Sequence, residues 1–599
     1  MGNGIKDSRP PRWDLSPVYS SFDSEKYKNT KKKLAESIQT FKKHVADKQS
    51  RESDPAGWLT ESVKLYNATS DVFGDLYSYA YAVFSTDTNN SQAMKEINAL
   101  DSAGLPLKSA KVLFRNALAE LEDPLALTKE HEYLEMHSFF IQEQLYFQQK
   151  QMNPSEEDLA NDLSRSGGDA WGRMQEAVSA NLKTIWDEST GEEKTVVELR
   201  ELAYHKSREV REKAFTKELE LWKGMETPLA FALNGVKGFS VILNSRRRFK
   251  DSLERSTRQA RISEKTLEAL ISVMEESLPV FRGYLKAKAG ALGLEQCAFF
   301  DLFAPVGSDT REWSFGEAQQ FIIRQFDLFS SDLSAFTDRA FRQNWIDGEM
   351  RPGKVGGAYC IDFPLTHSTR VFCNFSGSFG AVTTLAHELG HAYHHHILKE
   401  ASYIHRDYPM TLAETASIFA ENIVIDGALS GAKRDEKLAI LEISLLDSTQ
   451  VIVDILSRFY FEKALFRQRA REELSPDEFC ALMLDAQKKT YGEGLDEHQL
   501  HPYMWAVKGH YYNQDLAFYN FPYAFGLLFG LGLFSMYKKE GKAFGKTYQE
   551  ILRKTGMMSA NQLISGIGFD IEKPDFWRNG ISMIEEKVNQ FKQLAENNE

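Results

Sequence analysis

Strand-like alternation occurs in one short region of this 599-residue chain, immediately upstream of a histidine-rich stretch. In GAYCIDF, Tyr359, Ile361 and Phe363 share one face, and in RVFCNFS Val371, Cys373 and Phe375 do the same. Between Met350 and the first of these runs lies RPGKVGG, a glycine-rich segment expected to be mobile. Elsewhere apolar residues recur at helical spacing. KYKNTKKKLAESIQTFKKHV, HEYLEMHSFFIQEQLYFQQK and DEKLAILEISLLDSTQVIVDILSRFYFEKALFRQRAREEL each predict a long amphipathic helix. The expected fold is therefore mainly α, with one small β-sheet beside the histidines. A chain of this length outgrows a single core. The polar DESTGEEKT near residues 187–195 marks a boundary between two domains.

Composition narrows the functional classes. A net charge of −13 argues against a general nucleic-acid binder. The one basic run, NSRRRFKDSLERSTRQAR, lacks the aromatic interleaving such binding uses. The opening MGNGIKDSRPPRWDLSPVY has no apolar leader, and Lys6 stands where a myristoylation signal needs Ser or Thr. AFGLLFGLGLF (Ala524–Phe534) is too short to span a bilayer and reads as a buried helix. Cys297, Cys360, Cys373 and Cys480 form no CxxC pair and suit a reducing compartment. A cytoplasmic protein without nucleic-acid or membrane partners is expected.

The histidine-rich stretch is TTLAHELGHAYHHHIL, Thr383 to Leu398. Val382, Leu385, Leu389 and Tyr393 follow helical spacing, so His387 and His391 lie one turn apart on one face and reach the same ion. Glu388 then addresses a water beside that ion as a general base. Catalytic zinc takes a third protein ligand and leaves a position open. A metzincin would carry Gly at 394 and His at 397, but this chain has His394 and Ile397. A nearby Glu ligand would stand at 411, where the chain has Thr411. The next carboxylate in a suitable context is Glu414, in MTLAETASIFAENIV; TLAE is also a capping-box pattern, so Glu414 has a second, purely local reading. Glu421, on nearly the same face, is placed to orient a ligand histidine. His394, His395 and His396 cannot all face one metal and are read as surface or cleft-lining groups.

HELGH with LAETASIFAE at this separation resembles the M3 family of zinc metallopeptidases. RWDLSPVYSSFDSEKY, HKSREVREKAF, RISEKTLEAL and FYNFPYAFGLLFG are similar to its oligoendopeptidase F branch. The resemblance implies an elongated helical ellipsoid with a deep substrate channel. It implies an N-terminal helical domain, residues 1–190, and a catalytic domain, residues 191–599. It further implies one Zn2+ per chain on His387, His391 and Glu414, and short peptides as substrates. The family's substrate-contacting groups would here be His510, Tyr519 and Tyr523, in KGHYYNQDLAFYNFPYAFG, although Gly526 stands where relatives carry another tyrosine. Such a site hydrolyses internal peptide bonds with Glu388 as base and a donor from His510, Tyr519 or Tyr523 on the carbonyl oxygen. The strand Arg370–Ser376 would pair with an extended substrate, and the loop Gly353–Gly357 would close over it. Two other classes stand beside this one: a catalytically silent helical peptide-binding or holder protein, and a metal-dependent hydrolase of non-peptide amides.

Overall fold

The computed structural model describes residues 9–307 and 311–596; the reading of Gly2 and Lys6 falls outside them. Helix accounts for 73% of the structure, and among the described residues the strands form two small sheets, with an isolated bridge between Cys297 and Leu495. The chain forms two compact units, each assembled from three separate segments. One comprises 1–154, 311–427 and 533–567; the other comprises 155–310, 428–532 and 568–599.

In the first unit, the helix Glu25–Ala46 starts where Ser24 Oγ accepts from the Tyr27 N–H (3.3 Å). It buries Leu34, Ile38, Phe41 and Val45 at helical spacing. The next long helix, Pro55–Thr86, is capped by Asp54 with Pro55 in its first turn. These helices share one core with Phe363 and another with Ile404, so the N-terminal segment buries the back of the sheet the sequence predicts. Trp13 packs against Tyr359 and Phe372, and the Arg370 Nε–H donates to the Asp14 carbonyl (3.0 Å). The RWDLSPVY segment is thereby fastened to the strands beside the histidines.

That sheet is three-stranded: β3 (Ile346–Asp347), β4 (Tyr359–Phe363) and β5 (Ser368–Phe372), ordered β3-β5-β4. β4 and β5 pair antiparallel, Tyr359 opposite Phe372 and Phe363 opposite Ser368, while β3 runs parallel to β5. This corrects the expectation that the strand at Arg370–Ser376 offers a free edge. β5 is central. The N–H groups of Val371, Cys373 and Phe375 donate to the carbonyls of Trp345, Asp347 and Gly348 (2.9, 2.9 and 3.0 Å). β4 is the edge strand beside it. β3, two residues long, is too short to show alternation.

The glycine-rich loop is anchored rather than loose. Lys354 Nζ donates to the carbonyls of Cys373 and Glu349 (2.6 and 2.9 Å) and pairs with Asp347 at 2.8 Å. Asn374 Nδ2 holds the carbonyls of Val355 and Gly357, both at 3.0 Å. Gly353 and Gly357 sit at φ +82° and +81°, where only glycine is unstrained.

HEYLEMHSFFIQEQLYFQQK is two helices, Glu132–Met136 and Ser138–Lys150, broken at His137. His137 is buried, its Nδ1–H donates back to the Tyr133 carbonyl (2.7 Å), and its Nε2 accepts from Ser402 Oγ (3.1 Å). A tertiary bond thus overrides the helical period there.

In the second unit, the hairpin β1 (Lys183–Asp187) and β2 (Glu192–Thr195) occupies the DESTGEEKT segment. The helices Arg434–Thr449 and Ile455–Arg469 are joined without a break through a π-turn, Gln450–Asp454. The apolar AFGLLFGLGLF run lies in the helix Phe521–Glu540, with Phe525, Leu528 and Phe529 fully buried. Among the described residues no helix is long and apolar enough to cross a membrane.

Candidate metal and catalytic site

The motif helix, Phe379–Ile397, begins at Ser378, whose Oγ accepts from the Ala381 N–H (3.2 Å). Val382, Leu385, Leu389 and Tyr393 are buried, as their spacing predicts. The opposite face brings His387 and His391 toward a second helix, Met410–Gly431, which carries Glu414 and Glu421. Thr411 lies within that helix, so TLAE is not its cap. What sets the approach is Gly390. A Cβ there would lie 2.5 Å from the Ala416 carbonyl oxygen and 2.7 Å from Ser417 Cα. The two backbones touch at a position only glycine allows, and Glu414 is two residues from the contact.

His387, His391 and Glu414 each offer one ligand atom, all within 4.8 Å of one another. Glu414 Oε2 is 3.2 Å from His387 Nε2 and 3.3 Å from His391 Nε2. For tetrahedral bonds of roughly 2.05 Å the ligand–ligand edge is about 3.3 Å, so the donors fit a zinc-sized ion. Ser417 Oγ donates to Glu414 Oε2 (2.6 Å), and the His387 Nδ1–H donates to Glu421 Oε2 (3.2 Å), which holds the ring with Nε2 inward. Burial disfavours charge on His387, yet the hydrogen bonds and fields of Glu414 and Glu421 outweigh it and raise its pKa. The same field favours a cation among these atoms. Among the described residues this is the one such His/Glu group.

Glu388 is 5% exposed, and its Oε2 is buried without a hydrogen-bond partner. Burial raises its pKa, against the lowering influence of His387 and His391. A buried carboxylate oxygen left unpaired beside a ligand set has a free lone pair for an incoming proton.

His394 is a buried packing group, which corrects its surface reading, whereas His395 and His396 are half-buried and line a cleft with Asp362 and Arg406, in keeping with theirs. The His394 Nε2–H faces the Leu552 carbonyl (3.2 Å) and the Thr555 hydroxyl (2.9 Å), and its ring stacks on Tyr408. His395 Nδ1 lies 3.6 Å from Cys360 Sγ and 3.4 Å from Thr369 Oγ1, docking the helix on β4 and β5. His396 Nδ1 accepts from Arg339 Nη2 (3.3 Å) and stacks on Phe336. Burial pushes the His394 pKa down to about 3. The folded protein keeps this ring neutral while the unfolded chain protonates it near 6.5, so stability is intact above that pH and falls as pH drops toward 3. The slope from this group is roughly 1.4 kcal/mol per pH unit. Urea midpoints between neutral and acidic pH should show it, and His394→Gln should flatten it; an unchanged slope in the variant would refute the assignment.

His510, Tyr519 and Tyr523 belong to the second unit and form a cluster of their own there. Tyr519 and Tyr523 hydroxyls are 2.7 Å apart, and the His510 and Tyr519 rings are 5.5 Å apart. No local pattern marks Asn520, which the structure adds to this cluster. Its Oδ1 accepts from Arg458 Nη1 (3.1 Å), so its Nδ2–H is the group that donates to His510 Nε2 (2.7 Å). Arg458 cannot accept, so the amide orientation follows and the His510 proton is placed on Nδ1. Burial and the nearby Arg458, Lys237 and Lys508 push the His510 pKa down to about 2, so the ring is neutral. Asn520→Asp, with no N–H to offer, should move that proton to Nε2; ring nitrogen NMR reads the tautomer, and no change would sink the assignment.

Residues 201–583 match the sequence model of Peptidase family M3. The chain belongs to that family. It is accordingly a metallopeptidase, and residues 121–183 match a second description, Oligopeptidase F. Oligopeptidase PepF of Bacillus subtilis (strain 168) is 23% identical over 596 residues, covering 97% of this chain and 87% of that one. An oligoendopeptidase F homolog of Lactococcus lactis subsp. lactis (strain IL1403) is 26% identical, over 57% of each chain. The M3 fold recurs in a putative peptidase from Chlamydophila abortus at TM-score 0.80, 19% identity and coverage of 97% and 98%. It recurs in oligoendopeptidase-F from Enterococcus faecium at TM-score 0.71, 18% identity and coverage of 96% and 99%.

Proposed function

We propose that the chain is a zinc-dependent endopeptidase that hydrolyses internal bonds of short peptides. The observation that carries this reading is the unpaired, buried Oε2 of Glu388 beside the three convergent ligand atoms. The names of the relatives, oligopeptidase and oligoendopeptidase, support the substrate class. His387, His391 and Glu414 would hold the zinc, which would supply Lewis acidity to activate water and polarise a carbonyl. Glu388 takes the proton from the attacking water and hands it to the departing amine. Glu421 keeps the His387 ring aimed. β4, as the edge strand, offers main-chain groups to an extended peptide and tolerates many side chains. His510, Tyr519 and Tyr523 are assigned by resemblance as donors to the carbonyl oxygen.

Cleavage of an internally quenched peptide, its loss on chelation and its return with stoichiometric zinc test the reading. Binding of peptide without cleavage would instead establish a silent holder, in which Glu388 has no task. A cytoplasmic setting is supported by four free cysteines, with burial pushing the Cys373 thiol up to about 12. A module boundary near residue 190 is supported by the hairpin turn between the two family matches. Limited proteolysis that cuts there and leaves no folded piece would count against it.

A further inference from the structure

The second unit holds a cavity of about 50 Å³ beside the His510 cluster, since its wall includes Lys508, two residues from His510, and Arg458, which bonds Asn520. Its polar lining is cationic: Arg200, Arg458 and Lys508 against one carboxylate, Asp454. Two of the three cations are already matched. Arg200 pairs with Glu218 at 2.5 Å, a carboxylate that also meets His501, and Arg458 pairs with Asp454. Lys508 is left over, its ammonium having no hydrogen bond or ion pair to any described residue. Arg458 has a spare donor, since its Nε is buried without a partner. Thr449 and Gln450 add neutral polar groups, and Gln450 and Asp454 reach the wall through the π-turn that interrupts the helical ladder. The remainder of the wall is mainly apolar, including Leu285, Leu302 and Phe299, and its two tyrosines, Tyr284 and Tyr491, direct their hydroxyls to Glu442 and Asp454.

A cavity with a low-dielectric wall, one uncompensated positive charge and one orphaned guanidinium N–H is complementary to a single negative charge. We propose that it binds one small carboxylate-type anion, held by the Lys508 ammonium and the Arg458 Nε–H. Gln450 and Thr449 orient it, and the apolar wall limits its size. Burial, with Arg458 and Arg200 close by, pulls the Lys508 pKa down to about 7, although Asp454 and Glu218 oppose this. A bound anion reverses that depression and keeps the ammonium charged.

The carboxylate arrives either as a free anion or as the C-terminus of a peptide, and one experiment separates these. The full chain is melted while sodium acetate replaces sodium morpholinoethanesulfonate at constant ionic strength. A saturable rise in Tm is expected for the wild type and for Lys508→Arg, and none for Lys508→Met. An unsaturable rise, or an equal one in Lys508→Met, overturns the proposal. Should Lys508→Met not fold, calorimetric titration of the wild type with acetate decides: one saturable site upholds the proposal, and none overturns it. A pair of quenched peptides ending in a free carboxylate or an amide identifies the source. A KM about tenfold lower for the free acid, competed by acetate, assigns the cavity to the peptide terminus. Equal KM values with a saturable acetate effect assign it to a free anion. Only the peptide arm rests on the endopeptidase reading; the melting arm stands if no peptide is cut.

Discussion

Glu388→Gln is expected to lower kcat/KM by about 10²- to 10⁴-fold while leaving bound metal and Tm unchanged. Oε2 of Glu388 accepts no hydrogen bond from the protein, so the amide breaks no contact. The side chain is close to isosteric and removes a buried charge, which argues against any loss of stability. His387, His391 and Glu414 keep their mutual distances because Glu388 bonds none of them. The variant therefore separates metal binding from proton transfer. Metal analysis, a thermal melt and quenched-peptide kinetics on one preparation provide the check. Activity within tenfold of wild type, with metal retained, would remove Glu388 from its role as base.

Gly390→Ala should be the most damaging single methyl group near the site. Its Cβ meets backbone atoms of the neighbouring helix, the Ala416 oxygen at 2.5 Å and Ser417 Cα at 2.7 Å. Neither is the end of a flexible side chain, so the helices must separate. Overpacking of this kind costs about 1–3 kcal/mol. The larger consequence is geometric, because Glu414 moves with the displaced helix and the ligand edges of 3.2 and 3.3 Å open. Zinc affinity should fall by at least about tenfold, on the scale seen when ligand-orienting contacts are lost. A zinc titration beside a melt of the chelated protein measures both effects. Lower stability with unchanged zinc affinity would mean that the close approach serves packing alone.

Two of the candidate metal ligands were legible because their chemistry imposes a local spacing. His387 and His391 are one helical turn apart, whereas Glu414, in the next long helix, had a local reading too and was singled out by the resemblance. The two longer strands were legible for the same reason, since alternation is a short-range pattern. Their arrangement was not. β3 contributes two residues, yet it makes β5 central and leaves β4 as the edge, moving the expected substrate strand by one position. The glycine loop read as mobile because glycine permits motion, but Lys354 and Asn374, at separate points of the chain, hold it. His394 looked like a surface group within a polar run until a segment near Thr555 folded over it.

Residue type and spacing alone point to the helical class, the small sheet beside the motif, and His387, Glu388 and His391 as candidate site residues, while Glu414 is added by the resemblance. They do so because helix and strand periods and one-turn ligand pairs are properties of a few neighbouring residues. Tertiary structure alone decides that Gly390 is the contact between two helices, that Asn520 fixes the His510 proton, and that Lys508 is left uncompensated in a cavity. Each of these depends on which atoms from remote parts of the chain meet within about 3 Å, the range over which hydrogen bonds and steric contacts act. No local pattern encodes such a meeting.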